Sequence, residues 1–173
     1  SCLGKTFFVY GAEPFQGAEF CDALRLKSED QGIAERLVFE VSTKECWHKI
    51  SVELDSPSLF ASKRLIEIYP EVRALKDGQE TLEKILNRTN NDVLLLKVGH
   101  LDFKARKSSW FSTLSNKCVT LCFDQPTLNE MPEWISARFA SYDKKVSREA
   151  AGLIAERTEG NLMSTAHEIE KLV

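Results

Sequence analysis

The strongest constraint on the fold is an alternation of short β-type segments with longer helical ones along the first two thirds of the chain. Strands that alternate with helices of ten or more residues form parallel sheets, because each crossover returns the chain to the same edge. The sequence therefore predicts an α/β fold, a mainly parallel sheet with helices on both faces. The five predicted strands cover residues 6–10, 37–41, 64–69, 93–98 and 119–123.

The strand pattern stops near Asp124, and only helical spacing follows it. Thr127 and Glu130 have the spacing of a capping box, which predicts that a helix begins there. The sequence therefore predicts an α/β first domain over residues 1–124 and a small helical second domain over residues 125–173.

Three helices are predicted in the second domain. The first begins near Thr127, and the others cover residues 148–157 and 162–173. The apolar sides of the first and third helices carry Leu128, Met131, Trp134 and Ile135, and Leu162, Ala166, Ile169 and Val173. Because the third helix stays amphipathic up to the final residue, we expect the natural protein to continue beyond it.

Composition favours a globular protein of the cytoplasm. Hydrophobic residues make up 43% and charged residues 28% of the chain, a balance typical of soluble domains. The longest apolar run, residues 93–96, is far too short to span a bilayer, and the first residues lack the pattern of a secretory signal. The five scattered cysteines favour reduced thiols over a disulfide framework. We therefore expect a cytoplasmic location and no membrane partner.

A net charge of −3 and a pI near 5.7 argue against a domain that holds a phosphate backbone by itself, since that affinity comes from clustered lysine and arginine. One basic cluster exists, formed by Lys97, His100, Lys104, Arg106 and Lys107. It is either a solvated rim of a helix or a surface that faces DNA only within a larger assembly. An independent DNA-binding module would bind DNA with a steep salt dependence, which the acidic pI disfavours.

Gly4, Lys5 and Thr6 resemble the end of a phosphate-binding loop, but that motif must follow a strand and open a helix. Here the three residues precede the first predicted strand. The loop belongs directly after that strand, at residues 11–15, where the sequence offers Glu13 and no lysine. A carboxylate would repel phosphate, so we predict no nucleotide-binding residue.

Other catalytic and metal-binding patterns are also missing from the sequence. No predicted strand ends in the acidic pair that holds magnesium in an ATPase. The histidines are isolated, no G-x-S-x-G motif occurs, and Cys118 and Cys122 lack the spacing of a metal site. We therefore predict no catalytic residue, no metal ligand and no cofactor. The alternative interpretation is a P-loop NTPase or nucleotide kinase of the same α/β class.

Leu59 and Phe60 lie in a turn of small polar residues, 56–62, between a predicted helix and the third predicted strand. Adjacent large apolar side chains in such a setting either fill the local core or project as an anchor for a partner. Spacing alone leaves both interpretations open and favours the core.

Five segments together resemble the delta subunit of the bacterial clamp loader, and the resemblance runs over essentially the whole chain. The last two segments, in this order and at this distance, are quite specific, whereas the first alone would be weak. The segments are 8–14 (FVYGAEP), 56–65 (SPSLFASKRL), 109–111 (SWF), 132–138 (PEWISAR) and 159–162 (EGNL).

The resemblance implies an ATPase-like (AAA+) first domain that has lost nucleotide binding, a small helical second domain, and a third, collar domain that is absent here. In this family the first domain binds the ring-shaped β sliding clamp through a hydrophobic pair that corresponds to Leu59 and Phe60. Ser58 belongs to the same turn, and Pro57 just before it either stiffens the loop or adds a third contact.

The implied protein is not an enzyme by itself, since neighbouring loader subunits hydrolyse the ATP. Its implied function is to bind and open the clamp during DNA replication. Its implied partners are the clamp and the other loader subunits, which it contacts mainly through the third domain. DNA is an implied partner only of the assembled complex.

Overall fold

A computed structural model describes residues 1–56, 63–87 and 91–173 of the chain. The structure divides into two units, Ser1–Phe123 and Asp124–Val173. No helix in the described ranges is long and apolar enough to cross a membrane.

One five-stranded sheet forms the centre of the first unit, and all its neighbouring strands are parallel in the order β2, β3, β4, β1, β5. The carboxyl ends of all strands therefore share one edge of the sheet, the carboxyl edge, and their amino ends share the opposite, amino edge. The strands are β1 (Thr6–Tyr10), β2 (Glu35–Val41), β3 (Arg64–Pro70), β4 (Val93–Lys97) and β5 (Val119–Cys122).

Helices cover both faces of this sheet, so the predicted α/β fold class is confirmed. One face packs against α1, and the other packs against α2, α3 and α5. The helices of this unit are α1 (Pro14–Asp30), α2 (Lys44–Asp55), α3 (Gln79–Leu86), the four-residue α4 (Phe103–Arg106) and α5 (Ser109–Lys117).

Alternation along the strands explains the two apolar cores, because successive side chains of a strand point to opposite faces. In β3, Ile66 and Ile68 pack on the side of α2, whereas Leu65 packs on the side of α1. The central strand β4 is apolar at every position from Val93 to Leu96 because both of its faces are covered.

The second unit consists of three helices, α6 (Met131–Ala140), α7 (Arg148–Arg157) and α8 (Leu162–Leu172). Their buried apolar residues are Met131, Ile135, Phe139, Ala151, Ala155, Leu162, Ala166 and Ile169. Two of the residues predicted on the apolar sides are exposed instead, Leu128 at 63% and Val173 at 40%.

The exposure of Leu128 has a local cause. The Glu130 carboxylate accepts a hydrogen bond from the Thr127 backbone N–H at 2.8 Å, and the Met131 N–H donates to the Thr127 carbonyl at 3.1 Å. Residues 127–130 thus form a turn, and the helix begins only at Met131. Leu128 precedes the helix and does not share its apolar side.

Candidate functional site at the two edges of the sheet

The loop after β1, where a nucleotide-binding protein of this class would hold phosphate, is hydrogen-bonded to the ends of its neighbours. The Gly11 N–H donates to the Gly99 carbonyl at 3.2 Å, and the Glu13 N–H donates to the Phe123 carbonyl at 2.9 Å. Gly11 has a φ of 139°, and a Cβ there would lie 2.0 Å from the Phe123 oxygen, so only glycine fits. The loop is drawn against the residues that follow β4 and β5.

The Glu13 carboxylate occupies the amino end of α1. It accepts hydrogen bonds from the backbone N–H groups of Phe15 at 3.0 Å and Gln16 at 2.6 Å, and the residue is buried. These N–H groups, at the positive end of the helix dipole, are the groups that a bound phosphate would use. A fixed negative charge therefore stands where the phosphate of a nucleotide would have to bind.

The Gly4, Lys5 and Thr6 triplet lies at the opposite, amino edge of the sheet. Thr6 is the first residue of β1, and the Lys5 carbonyl accepts a hydrogen bond from Leu94 N–H at 3.0 Å. The triplet is therefore an entry to a strand, and no helix follows it. Within the described residues, no group of three His, Cys, Asp or Glu side chains is arranged to hold a metal ion.

The residues predicted to contact a clamp, Pro57, Ser58, Leu59 and Phe60, lie outside the described residues. The chain on either side of them is described, and it lies at the amino edge: α2 ends at Asp55, and β3 begins at Arg64. Glu13 and the Gly11 turn lie at the opposite edge.

Helix α2, on one side of the predicted contact residues, is fixed in the core. Its residues Trp47, Ile50 and Leu54 are each at most 2% exposed. The Trp47 indole N–H also donates to the Ala74 carbonyl at 2.8 Å. Burial of three large side chains on one helix face holds α2 against the sheet.

The start of β3, on the other side, is fixed by a buried ion pair. The Arg64 backbone N–H donates to one Asp92 carboxylate oxygen at 2.9 Å, and the Arg64 guanidinium donates to the other at 3.1 Å. Both side chains are only 9% exposed. The predicted contact residues are therefore joined at both ends to a rigid framework.

Sequence reasoning missed a charged cluster on the α1 side of the sheet. Glu67 in β3 is fully buried and accepts two hydrogen bonds each from Arg25 of α1, at 2.9 and 2.8 Å, and Arg36 of β2, at 2.7 and 3.1 Å. The Tyr69 hydroxyl donates to the same carboxylate. The sequence offered one sign of this cluster, a single acidic residue inside an apolar strand.

The arginines decide the charge of Glu67. Burial alone would raise the pKa of this carboxyl, but the hydrogen bonds from Arg25, Arg36 and Tyr69 outweigh it and hold the pKa at about 2. Burial and the bond to Glu67 in turn raise the pKa of the Tyr69 hydroxyl. The ionised cluster ties α1, β2 and β3 together.

Comparison with known proteins assigns the chain to a family. The family model for the delta subunit of DNA polymerase III matches residues 7–123. The chain belongs to the DNA polymerase III delta subunit family. The resemblance inferred from sequence motifs is thereby confirmed, and the matched range of this delta-family chain includes Leu59 and Phe60.

One relative of the delta-family chain agrees with this assignment, and one solved structure shares its fold. DNA polymerase III subunit delta of Escherichia coli (strain K12) is 27% identical over 172 residues, which is 98% of this chain and 50% of that protein. The structure of the Bacillus subtilis DNA clamp loader delta protein superimposes with a TM-score of 0.74 at 16% identity, over 98% of this chain and 53% of that one. The chain thus spans about half the length of these relatives.

Proposed function

We propose that this delta-family chain binds the β sliding clamp through Leu59 and Phe60 and favours its open ring, without hydrolysing ATP. The family match over residues 7–123, which spans both side chains, carries the proposal. The names of the two relatives, a DNA polymerase III subunit and a clamp loader protein, support a role in clamp loading. In this proposal the protein acts in the cytoplasm during DNA replication.

The proposed mechanism is mechanical. Burying Leu59 and Phe60 in an apolar pocket of the clamp would contribute roughly 1.5 to 3 kcal/mol each, a useful fraction of a conformational shift of a few kcal/mol. Ser58 and Pro57 would flank this contact. The fixed positions of α2 and Arg64 support the mechanism. Because both are held against the sheet, a force at the contact would be transmitted to the sheet and would not simply displace α2.

The absence of nucleotide chemistry is part of the same proposal, and Glu13 supports it. A carboxylate bonded to the first N–H groups of α1 leaves those groups without capacity for a phosphate. Neighbouring loader subunits would supply ATP hydrolysis. They would be reached mainly through a further domain, and DNA would be a partner of the assembled complex.

The proposal is tested by surface plasmon resonance on an immobilised clamp. The Leu59→Ala, Phe60→Ala double variant should bind about 100-fold more weakly or worse, since it loses roughly 3 kcal/mol or more of apolar burial. A control is Leu26→Ala with Leu153→Ala, which removes two large apolar side chains from positions that are 64% and 67% exposed. The control should bind like the native chain.

Circular dichroism establishes that each variant is folded. Equal clamp binding by the native chain and a folded Leu59→Ala, Phe60→Ala variant would return both residues to a core role. Equal losses in the double variant and the control would show that the contact is not specific to this turn.

A further inference from the structure

An aromatic ring and several cations are exposed together after β4. Phe103, the first residue of α4, is 73% exposed, more than any other large hydrophobic residue among those that the structure describes as exposed. The Lys107 ammonium nitrogen lies 4.1 Å from the centroid of its ring. Lys104 and His100 are also exposed. These four residues are named here the Phe103 platform.

The backbone on both sides of Phe103 is held by packing and hydrogen bonds, so the exposure of the Phe103 ring is a consequence of the fold. Leu101 is 1% exposed, and Asp102 caps α4 by accepting a hydrogen bond from the Ala105 N–H at 2.7 Å. The Arg106 guanidinium lies 5.0 Å from the centroid of the Tyr10 ring and donates to the Leu101 carbonyl at 2.9 Å. Fixed residues before and after Phe103 thus hold its ring on the surface.

The platform is positively charged although the chain carries a net charge of −3, so the acidity that disfavours DNA binding by the chain as a whole is not the charge that a strand would meet at this surface. Residues 97–107 contain four cationic side chains and a single acidic one, Asp102, whose carboxylate is occupied by the helix cap. Within the described parts of the chain, neither Lys104 nor Lys107 forms an ion pair. These two cations are therefore available to an anionic ligand.

We propose that the Phe103 platform binds single-stranded nucleic acid. An unpaired base stacks on the Phe103 ring, and Lys104 and Lys107 each contact a backbone phosphate. An exposed aromatic ring among cations is typical of surfaces that bind single strands. Only an unpaired, unstacked base has a face free to stack on a side chain, while the cations contact the phosphates. This contact is independent of the clamp contact, whose described flanking residues, Asp55 and Arg64, lie at the opposite edge of the sheet.

The test is fluorescence anisotropy of a labelled oligodeoxythymidine of about 20 nucleotides, titrated with the chain between about 50 and 200 mM salt. Phe103→Ala should weaken binding about tenfold without changing the salt dependence, because stacking carries no charge. Lys104→Gln with Lys107→Gln should flatten the slope of log affinity against log salt by about 1.4, or roughly 0.7 for each lost phosphate contact. Lys144→Gln with Lys145→Gln, the same charge change at exposed positions of the second unit, should change neither.

Three results would overturn the proposal. The first is no binding of the oligonucleotide by the native chain at about 50 mM salt. The second is an equal loss in the Lys144, Lys145 control, which would indicate diffuse attraction to any lysine. The third is competition by duplex DNA or polyglutamate as effective as that by the unlabelled strand, since either would show an anion-binding surface without base stacking.

Loss of clamp binding in the Leu59→Ala, Phe60→Ala variant with oligonucleotide binding unchanged is the expected sign that the two contacts are separate.

Discussion

The Glu13 side chain stabilises α1 through the two backbone N–H groups that a bound phosphate would otherwise engage. Capping residues of this kind stabilise a helix by about 1 kcal/mol, and a negative charge at the positive end of the dipole adds to that. Glu13 therefore has two effects. It caps the first helix, and it engages the backbone N–H groups that the phosphate of a nucleotide would need.

Replacing Glu13 by alanine should lower the free energy of unfolding by about 1 to 2 kcal/mol, because two helix N–H groups lose their acceptor. Urea denaturation followed by circular dichroism measures the change. Glu29→Ala, an exposed glutamate of the last turn of the same helix, is the matched control and should have little effect. If Glu13→Ala is as stable as the native chain, the cap contributes nothing.

The Glu67 cluster makes stability depend on pH. The pKa of the Glu67 carboxyl is about 2 in the folded chain and about 4.3 for an unperturbed glutamate, so the unfolded state binds the proton more tightly. The stabilisation of up to about 3 kcal/mol is complete above roughly pH 5 and is lost as the pH falls towards 2. Glu67→Gln should therefore be less stable than the native chain by about 3 kcal/mol at pH 7 and by about half of that at about pH 3.

Urea titrations of both proteins at these two pH values test this prediction. Glu40→Gln, an exposed glutamate of the adjacent strand, serves as the control and should follow the native chain at both pH values. A difference between Glu67→Gln and the native chain that stays constant with pH would contradict the account.

The sequence suggested the charge at Glu13 but gave no partner for Glu67. Repulsion of phosphate by Glu13 follows from the residue type alone, whereas its capping role is shown by the hydrogen bonds that its carboxylate accepts from the Phe15 and Gln16 N–H groups. The partners of Glu67 are Arg25, Arg36 and Tyr69, on two strands and a helix. Two of them lie 31 and 42 residues away along the chain, and only the folded sheet brings them together.

Among the elements, sequence patterns were sufficient for the strands and the long helices and insufficient for a helix of a single turn. Residues 14–30 begin with a proline that suits a first helical turn and keep a helical apolar spacing as far as Leu24, and helix α1 is observed over Pro14–Asp30. The predicted strands agree with the observed ones to within two residues at each end. The four residues of α4 are too few to show a period, and its stability comes from the Asp102 cap and the Arg106 contacts.

The packing of α2 on the turn before α3 depends on the absence of a side chain at Gly78. A Cβ on Gly78 would lie 2.1 Å from the Trp47 ring, which is itself 1% exposed. Gly78→Ala should therefore destabilise the chain by about 1 to 3 kcal/mol through overpacking. Gly152→Ala is the matched control: no atom lies within 4 Å of a Cβ built there inside α7, so helix propensity should stabilise it by up to about 1 kcal/mol.

Thermal unfolding followed by circular dichroism separates the two glycine substitutions. We expect a lower melting temperature for Gly78→Ala and an equal or higher one for Gly152→Ala. The packing account fails if the two substitutions shift the melting temperature in the same direction by similar amounts.

At the scale of the whole molecule, the first unit presents two opposite edges to different proposed partners. The residues that flank the proposed clamp contact lie at the amino edge, and Glu13 and the Phe103 platform lie at the carboxyl edge. The sheet between them is the part that sequence patterns predicted best. The contact itself could be inferred only from family resemblance, because the spacing of Leu59 and Phe60 by itself favours a core role.

Release of the clamp from closed circular DNA shows whether this chain opens the clamp without ATP, as proposed above. The clamp is assembled on the circle, the chain is added without nucleotide, and gel filtration separates bound from released clamp. We expect the native chain to release the clamp and the Leu59→Ala, Phe60→Ala variant to leave it on the DNA. Release that requires added ATP, or that proceeds equally with the double variant, would contradict the account.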